Sequence, residues 1–134
     1  MASIRREITI HACPDRVWDA LRDVGALHTR LAKGFVRDTT LEGETRTVTF
    51  ANGNVVHERI VDVDDDRRRV AWNVTDAPFV HHNASAEVIA TSDDSCRFVW
   101  TADLLPHALA PTVAGLIEVG LASIKKTLEV SETS

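Results

Sequence analysis

Thr45-Arg46-Thr47-Val48-Thr49-Phe50-Ala51-Asn52-Gly53-Asn54-Val55-Val56-His57-Glu58-Arg59-Ile60 consists of two alternating runs joined by an Asn-Gly turn. Alternation with period two sends successive side chains to opposite faces of a strand. Asn-Gly between two such runs marks a hairpin. A two-residue turn would set Val48 opposite His57 and Arg46 opposite Arg59. A three-residue loop, Ala51-Asn52-Gly53, with glycine in the left-handed bulge position, sets Val48 opposite Val56 and Arg46 opposite Glu58. Only the second register gathers Val48, Phe50, Val56 and Ile60 on one face and replaces a like-charge opposition with an ion pair. Burial of one face selects it.

This register turns Arg46 and Glu58 toward the concave, apolar side of the sheet. A buried charge that loses its partner costs about 3–5 kcal/mol, so the two must be paired or wet. They serve either as an ion pair bracing the sheet or as a polar anchor at the bottom of a ligand cavity, where a few placed polar groups orient an apolar guest.

Working outward, the same periodicity marks strands over 35–41, 69–75, 82–90 and 96–104, and extends the second arm of the hairpin to Val63. Glu42-Gly43, Asp64-Asp65-Asp66, Asp76-Ala77-Pro78 and Ser92-Asp93-Asp94 supply the turns. Short connections without helices dictate an antiparallel meander. Ahead of it, Ile4, Ile8 and Ile10 alternate as a further strand. Cys13-Pro14-Asp15 then opens a short helix, with proline at the position whose N–H would have no partner. A second short helix is expected over 26–32, ending at Gly34. From Pro106 or Pro111 to Val130 the period returns to helical, and Leu109, Val113, Leu116, Ile117, Leu121, Ile124 and Leu128 form one apolar stripe. Glu118, Lys125, Lys126 and Glu129 fall mainly on the other side, and 131–134 are expected to fray.

On the inner face of the sheet, large rings alternate with small residues: Val70, Trp72 and Val74; His82, Ala84, Ala86 and Val88; Phe98, Trp100, Ala102 and Leu104. Opposite them the helix carries Ala110, Ala114, Gly115, Gly120 and Ala122. Glycine within a helix costs about 1 kcal/mol relative to alanine. Gly115 and Gly120 therefore signal either close approach to the sheet or space for a guest.

A net charge of −5 argues against a nucleic-acid partner. The basic run Arg67-Arg68-Arg69 follows Asp62, Asp64, Asp65 and Asp66 and reads as a solvated turn of offsetting charge. Cys13 and Cys96 are too few for a disulfide framework. With neither a signal-type segment nor an apolar run long enough for a bilayer, a soluble, cytoplasmic protein of one domain, residues 1–134, is expected. No metal and no cofactor are expected, because no motif for either is present. Neighbours such as His81-His82 and His57-Glu58 point to opposite faces of a strand and cannot share one ion.

The order of elements, with Pro14-Asp15-Arg16-Val17-Trp18, Gly43-Glu44-Thr45-Arg46-Thr47-Val48, Asn52-Gly53, Val56-His57-Glu58-Arg59-Ile60, Asp64-Asp65 and Phe98-Val99-Trp100, resembles the polyketide cyclase/dehydrase and lipid-transport branch of the SRPBCC superfamily. That superfamily also holds the START domains and the birch-pollen-allergen proteins. The resemblance spans essentially the whole chain. It implies an α+β helix-grip fold: a curved antiparallel sheet of about seven strands around a long C-terminal helix, with two short helices after the first strand. It also implies binding of sterols, lipids, hormones or polyketides, with catalysis in a minority of members. Arg46, the Glu58-Arg59 pair and Trp100 match the branch pattern. Where many relatives carry Trp-His-Pro, this chain reads Arg30-Leu31-Ala32, and nothing transfers that histidine's role to His28.

Three functions follow. The first is binding or transport of a small hydrophobic or aromatic molecule. Its expected contacts are Arg46, Val48, Phe50, Val56, Glu58, Trp72, His82, Ala84 and Trp100 from the sheet, and Leu116 and Gly120 from the helix. The second is a cyclase- or dehydratase-like enzyme using Glu58 and His82 as acid and base, with His28 and His107 near the same rim. The third is a non-catalytic stress or regulatory partner protein. A monomer or homodimer suits all three.

Overall fold

The hairpin adopts the three-residue loop. Val48 lies opposite Val56 and Arg46 opposite Glu58, and Gly53 takes a φ of 92°, where only glycine is unstrained. The computed structural model describes residues 2–132. Its strands are β1 (Ala2–Ile10), β2 (Val36–Glu42), β3 (Thr45–Phe50), β4 (Val55–Asp64), β5 (Arg69–Val74), β6 (His81–Ser92) and β7 (Ser95–Leu105). They form one antiparallel sheet in the order β1-β7-β6-β5-β4-β3-β2. The chain's first two strands therefore lie on opposite edges. Helix α1 (Pro14–Arg22) and a π-helical turn (Leu27–Leu31), in place of the second α-helix expected from the sequence, make the crossing and close one end.

Helix α2 (Ala110–Glu132) follows a 3₁₀ turn (His107–Leu109). It extends through Ser131, where fraying was expected; residues 133–134 lie outside the described residues. Val113, Ile117, Leu121, Ile124 and Leu128 are its buried stripe, at the spacing of one helical face. Leu116 does not belong to that stripe. It sits on the flank, half-exposed. Both sides of the helix are tied down toward its C-terminal end. Lys125 Nζ donates to the Thr9 carbonyl at 2.7 Å, and the His11 N–H donates to Glu129 Oε2 at 2.8 Å. Across the helix, the Lys33 N–H donates to Thr127 Oγ1 at 3.1 Å, and Ser123 Oγ donates to the Lys33 carbonyl at 3.0 Å.

The two helix glycines do different things. Gly115 faces open space, whereas a Cβ at Gly120 would lie 2.9 Å from Trp100 Cζ3 and 3.1 Å from Phe35 Cε2. Gly120 thus admits a ring against the helix backbone instead of making room for a guest. Gly120→Ala is expected to destabilise the protein by up to about 2 kcal/mol, since overpacking costs about 1–3 and better helix propensity returns about 1. Urea unfolding would measure it.

Three sequence expectations need correction. The span His107–Glu129, with mean hydropathy 1.4, is long and apolar enough to cross a bilayer by length and composition. Alanine, valine and glycine dilute its few charges, and its inner face is spent on the sheet. Second, the acidic and basic residues of the β4–β5 turn do not mainly offset one another. Asp65 accepts from Arg22 Nε at 2.9 Å and Trp18 Nε1 at 3.0 Å, and Arg68 pairs with Asp15 at 2.5 Å. The turn is thereby clamped to α1. Third, β4 does not alternate to its end. Its register shifts between Ile60 and Asp62, leaving Val61 exposed and Val63 against the core. Such a bulge bends the strand and adds twist.

Candidate functional site

Between α2 and the middle strands lies a cavity of about 660 Å³, within the range that holds a small organic molecule. Trp72 and Trp100 meet edge to face in its wall at 6.0 Å, and Phe35 and Phe50 at 5.3 Å. Val56, Val74 and Ala84 complete the sheet side. Val113, Leu116, Ile117 and Val119 supply the helix side. Behind these rings lies a smaller void of about 70 Å³, bordered by Arg46, Val48, Ala86 and Phe98.

Of the residues expected from the sequence, Phe50, Val56, Glu58, Trp72, His82, Ala84, Trp100 and Leu116 line the main cavity. Arg46 and Val48 border the inner void instead. Gly120 borders neither, because Trp100 stands in front of it. Nor do His28 and His107 reach the rim. The π-helical turn carries His28 to Asp38, at 3.7 Å, and His107 lies in the turn before α2. Sequence reasoning missed Lys33, Phe35, Asn54, Phe79, Ser123 and Lys126, which also line the cavity. Phe79 had a signal in its place beside the Pro78 loop, and Phe35 in the apolar start of its strand. Lys33 had none.

Arg46 and Glu58 form the polar joint between the two spaces. Arg46 Nε donates to Glu58 Oε1 at 2.7 Å, its Nη1 donates to the Val24 carbonyl at 3.2 Å, and the guanidinium lies 5.2 Å from the centre of a Trp72 ring. Both side chains are buried. The hairpin register supplies the pair, and the segment after α1 supplies the carbonyl.

His82 packs against Phe79, ring centres 4.5 Å apart, and its Nδ1 has no partner. Burial, with the neighbouring charge of His81, pushes its pKa from the ordinary 6.5 down to about 4. The folded state therefore binds the proton less readily than the unfolded state. Stability from this group is complete above pH 6.5 and is lost as pH falls toward 4. Linkage caps the loss at about 3 kcal/mol, and solvent at this partly open wall reduces it to about 1–2. Unfolding free energies of the wild type and His82→Phe, measured across that window, should diverge by this amount as pH falls, the variant changing less.

The loop that carries Phe79 is anchored at its base. Asp76 accepts from the His57 N–H at 2.7 Å and lies 2.9 Å from His57 Nδ1. Burial opposes charge on Asp76, but the side-chain and backbone hydrogen bonds of His57 and its charge outweigh it and lower the pKa. Both cysteines are free, and burial pushes the Cys96 thiol up to about 11, which makes it inert. Among the described residues no group of three or more His, Cys, Asp or Glu is placed to hold a metal ion.

A curved antiparallel sheet gripping a long C-terminal helix, with two short helical pieces closing one end and a hollow between, is the helix-grip architecture of START/SRPBCC proteins. Residues 1–129 match the family described as polyketide cyclase / dehydrase and lipid transport, and the chain belongs to that family. Among solved structures it resembles a protein from Thermobifida fusca, with 27% identity, TM-score 0.78, and coverage of 96% of this chain and 91% of the other. A START superfamily protein from Mycobacterium smegmatis aligns with 10% identity, TM-score 0.74, and coverage of 98% and 99%. Norcoclaurine synthase from Thalictrum flavum aligns with 19% identity, TM-score 0.71, and coverage of 99% and 96%. The last two likenesses are of fold alone. No curated protein matches the sequence.

Proposed function

We propose that this protein binds a small apolar or aromatic molecule in the cavity between α2 and the sheet. The observation that carries the reading is a space of about 660 Å³ walled by Trp72, Trp100, Phe35 and Phe50 in a chain of only 134 residues. Interiors normally pack to crystal-like density, so a hollow this large loses dispersion contacts that a guest would restore. Polar groups are few and placed at intervals: Glu58 at the floor, His82 on the wall, and Asn52, Asn54, Ser123 and two lysines toward one end. That is the pattern of an oriented apolar site. Membership of a family described by cyclisation, dehydration and lipid transport agrees with it.

Acid–base catalysis by Glu58 and His82 draws less support. His82 is held neutral near pH 7 by its lowered pKa, so no imidazolium is present as acid, and Glu58 Oε1 is occupied by Arg46 at 2.7 Å. The binding reading is tested with the neutral dye N-phenyl-1-naphthylamine. One saturable site with enhanced emission is expected, displaced by apolar competitors. Absence of any saturable site for the dye would contradict the reading.

A further inference from the structure

We infer that the guest carries a single anionic group, held at the end of the cavity where Lys33 and Lys126 lie, with its apolar body running beneath α2 toward Phe79 and His82. This rests on the cavity being a binding site, as proposed above, and adds which class of molecule it takes.

The direction of the cavity follows from its contacts. At one end the Lys33 backbone is bonded to Ser123 and Thr127 of α2. Ser123 and Lys126, three residues apart, are neighbours on one helix face, and both line the cavity together with Lys33. At the other end His82 pairs in register with Leu104, and the Val80 N–H donates to the Leu105 carbonyl at 3.0 Å, just before α2 begins. Val113, near the start of the helix, lines the cavity at that end. From Val113 to Lys126 the helix rises about 20 Å at about 1.5 Å per residue. The site is long and has distinguishable ends.

Its charge is one-sided. Lys33, Glu58 and Lys126 are the ionic side chains among the lining residues, and Glu58 is already matched by Arg46. That leaves two ammonium groups in a chain whose net charge is −5. Among the described residues neither lysine has a carboxylate partner, although most arginines do. The far end presents an imidazole held neutral beside a phenyl ring, which accepts an apolar or weakly polar tail. A lysine pair at an apolar mouth is a receptor for an anion that trails hydrocarbon.

The test is displacement of N-phenyl-1-naphthylamine by three ligands with the same chain: decanoate, decan-1-ol and decylammonium. Decanoate should compete about three- to tenfold better than decan-1-ol, the order supplied by two partly exposed ion pairs, and decylammonium worse than either. In Lys33→Gln/Lys126→Gln the decanoate-to-decanol ratio should fall to near unity, and raising the salt should narrow it in the wild type. Equal competition by decanoate and decanol in the wild type would overturn the anionic assignment while leaving the cavity as a binding site. A preference that survives the double substitution would overturn the assignment to these lysines. Failure of the dye and all three ligands to bind would remove the site itself, and this inference with it.

Discussion

Glu58→Ala should destabilise the protein by about 3–5 kcal/mol, the cost of leaving a buried charge without its partner. The loss comes from what the substitution leaves behind. Arg46 would keep the Val24 carbonyl and the face of Trp72, but its 2.7 Å carboxylate contact would be gone, and the guanidinium cannot discharge by losing a proton. Replacing both partners by apolar residues of similar size, as in Arg46→Met/Glu58→Leu, should restore most of the stability, because desolvation of both charges is removed together. Denaturant titration of the wild type and the two variants distinguishes the cases. If the double variant is as unstable as the single one, the loss does not come from an unpaired Arg46 charge.

The second large effect concerns binding. Ala84 is buried on the sheet wall of the cavity, beside Trp72 in the β5–β6 register. Ala84→Trp directs an indole into the hollow from a backbone already in strand geometry. Affinity for N-phenyl-1-naphthylamine should fall at least about 100-fold, equivalent to about 2.7 kcal/mol. Stability should change little or rise, since the new ring fills vacant space and does not displace packed atoms. Unchanged dye affinity in a folded Ala84→Trp protein would place the dye elsewhere.

How far the sequence carries the fold depends on the interaction in question. The β3–β4 hairpin could be derived in full, because Asn52-Gly53 limits the turn and only one register buries Val48, Phe50, Val56 and Ile60 together. Arg46 and Glu58 came with it. The bulge after Ile60 could not be read, since Val61, Asp62 and Val63 alternate as smoothly as an unbroken strand would. Gly120 and Gly115 look alike in sequence, and only the position of the Trp100 ring separates close approach from open space. Leu116 satisfied the helical spacing yet sits at the flank, because the stripe drifts across α2 and its edge depends on where the sheet ends. Lys33 was invisible for a related reason. Its place at the cavity is set by backbone hydrogen bonds to Ser123 and Thr127, 90 and 94 residues away in sequence, and no local pattern reports such a contact.

The three tryptophans provide the most direct test of the hollow as a binding site. Trp72 and Trp100 wall the cavity, while Trp18 lies on α1 with its indole N–H on Asp65. In a two-dimensional ¹H–¹⁵N spectrum the three indole signals can be followed during titration with N-phenyl-1-naphthylamine. The signals of Trp72 and Trp100 should move together and saturate at one equivalent while that of Trp18 stays in place. Saturable dye binding that leaves Trp72 and Trp100 unmoved, or that shifts Trp18 alone, would contradict the account.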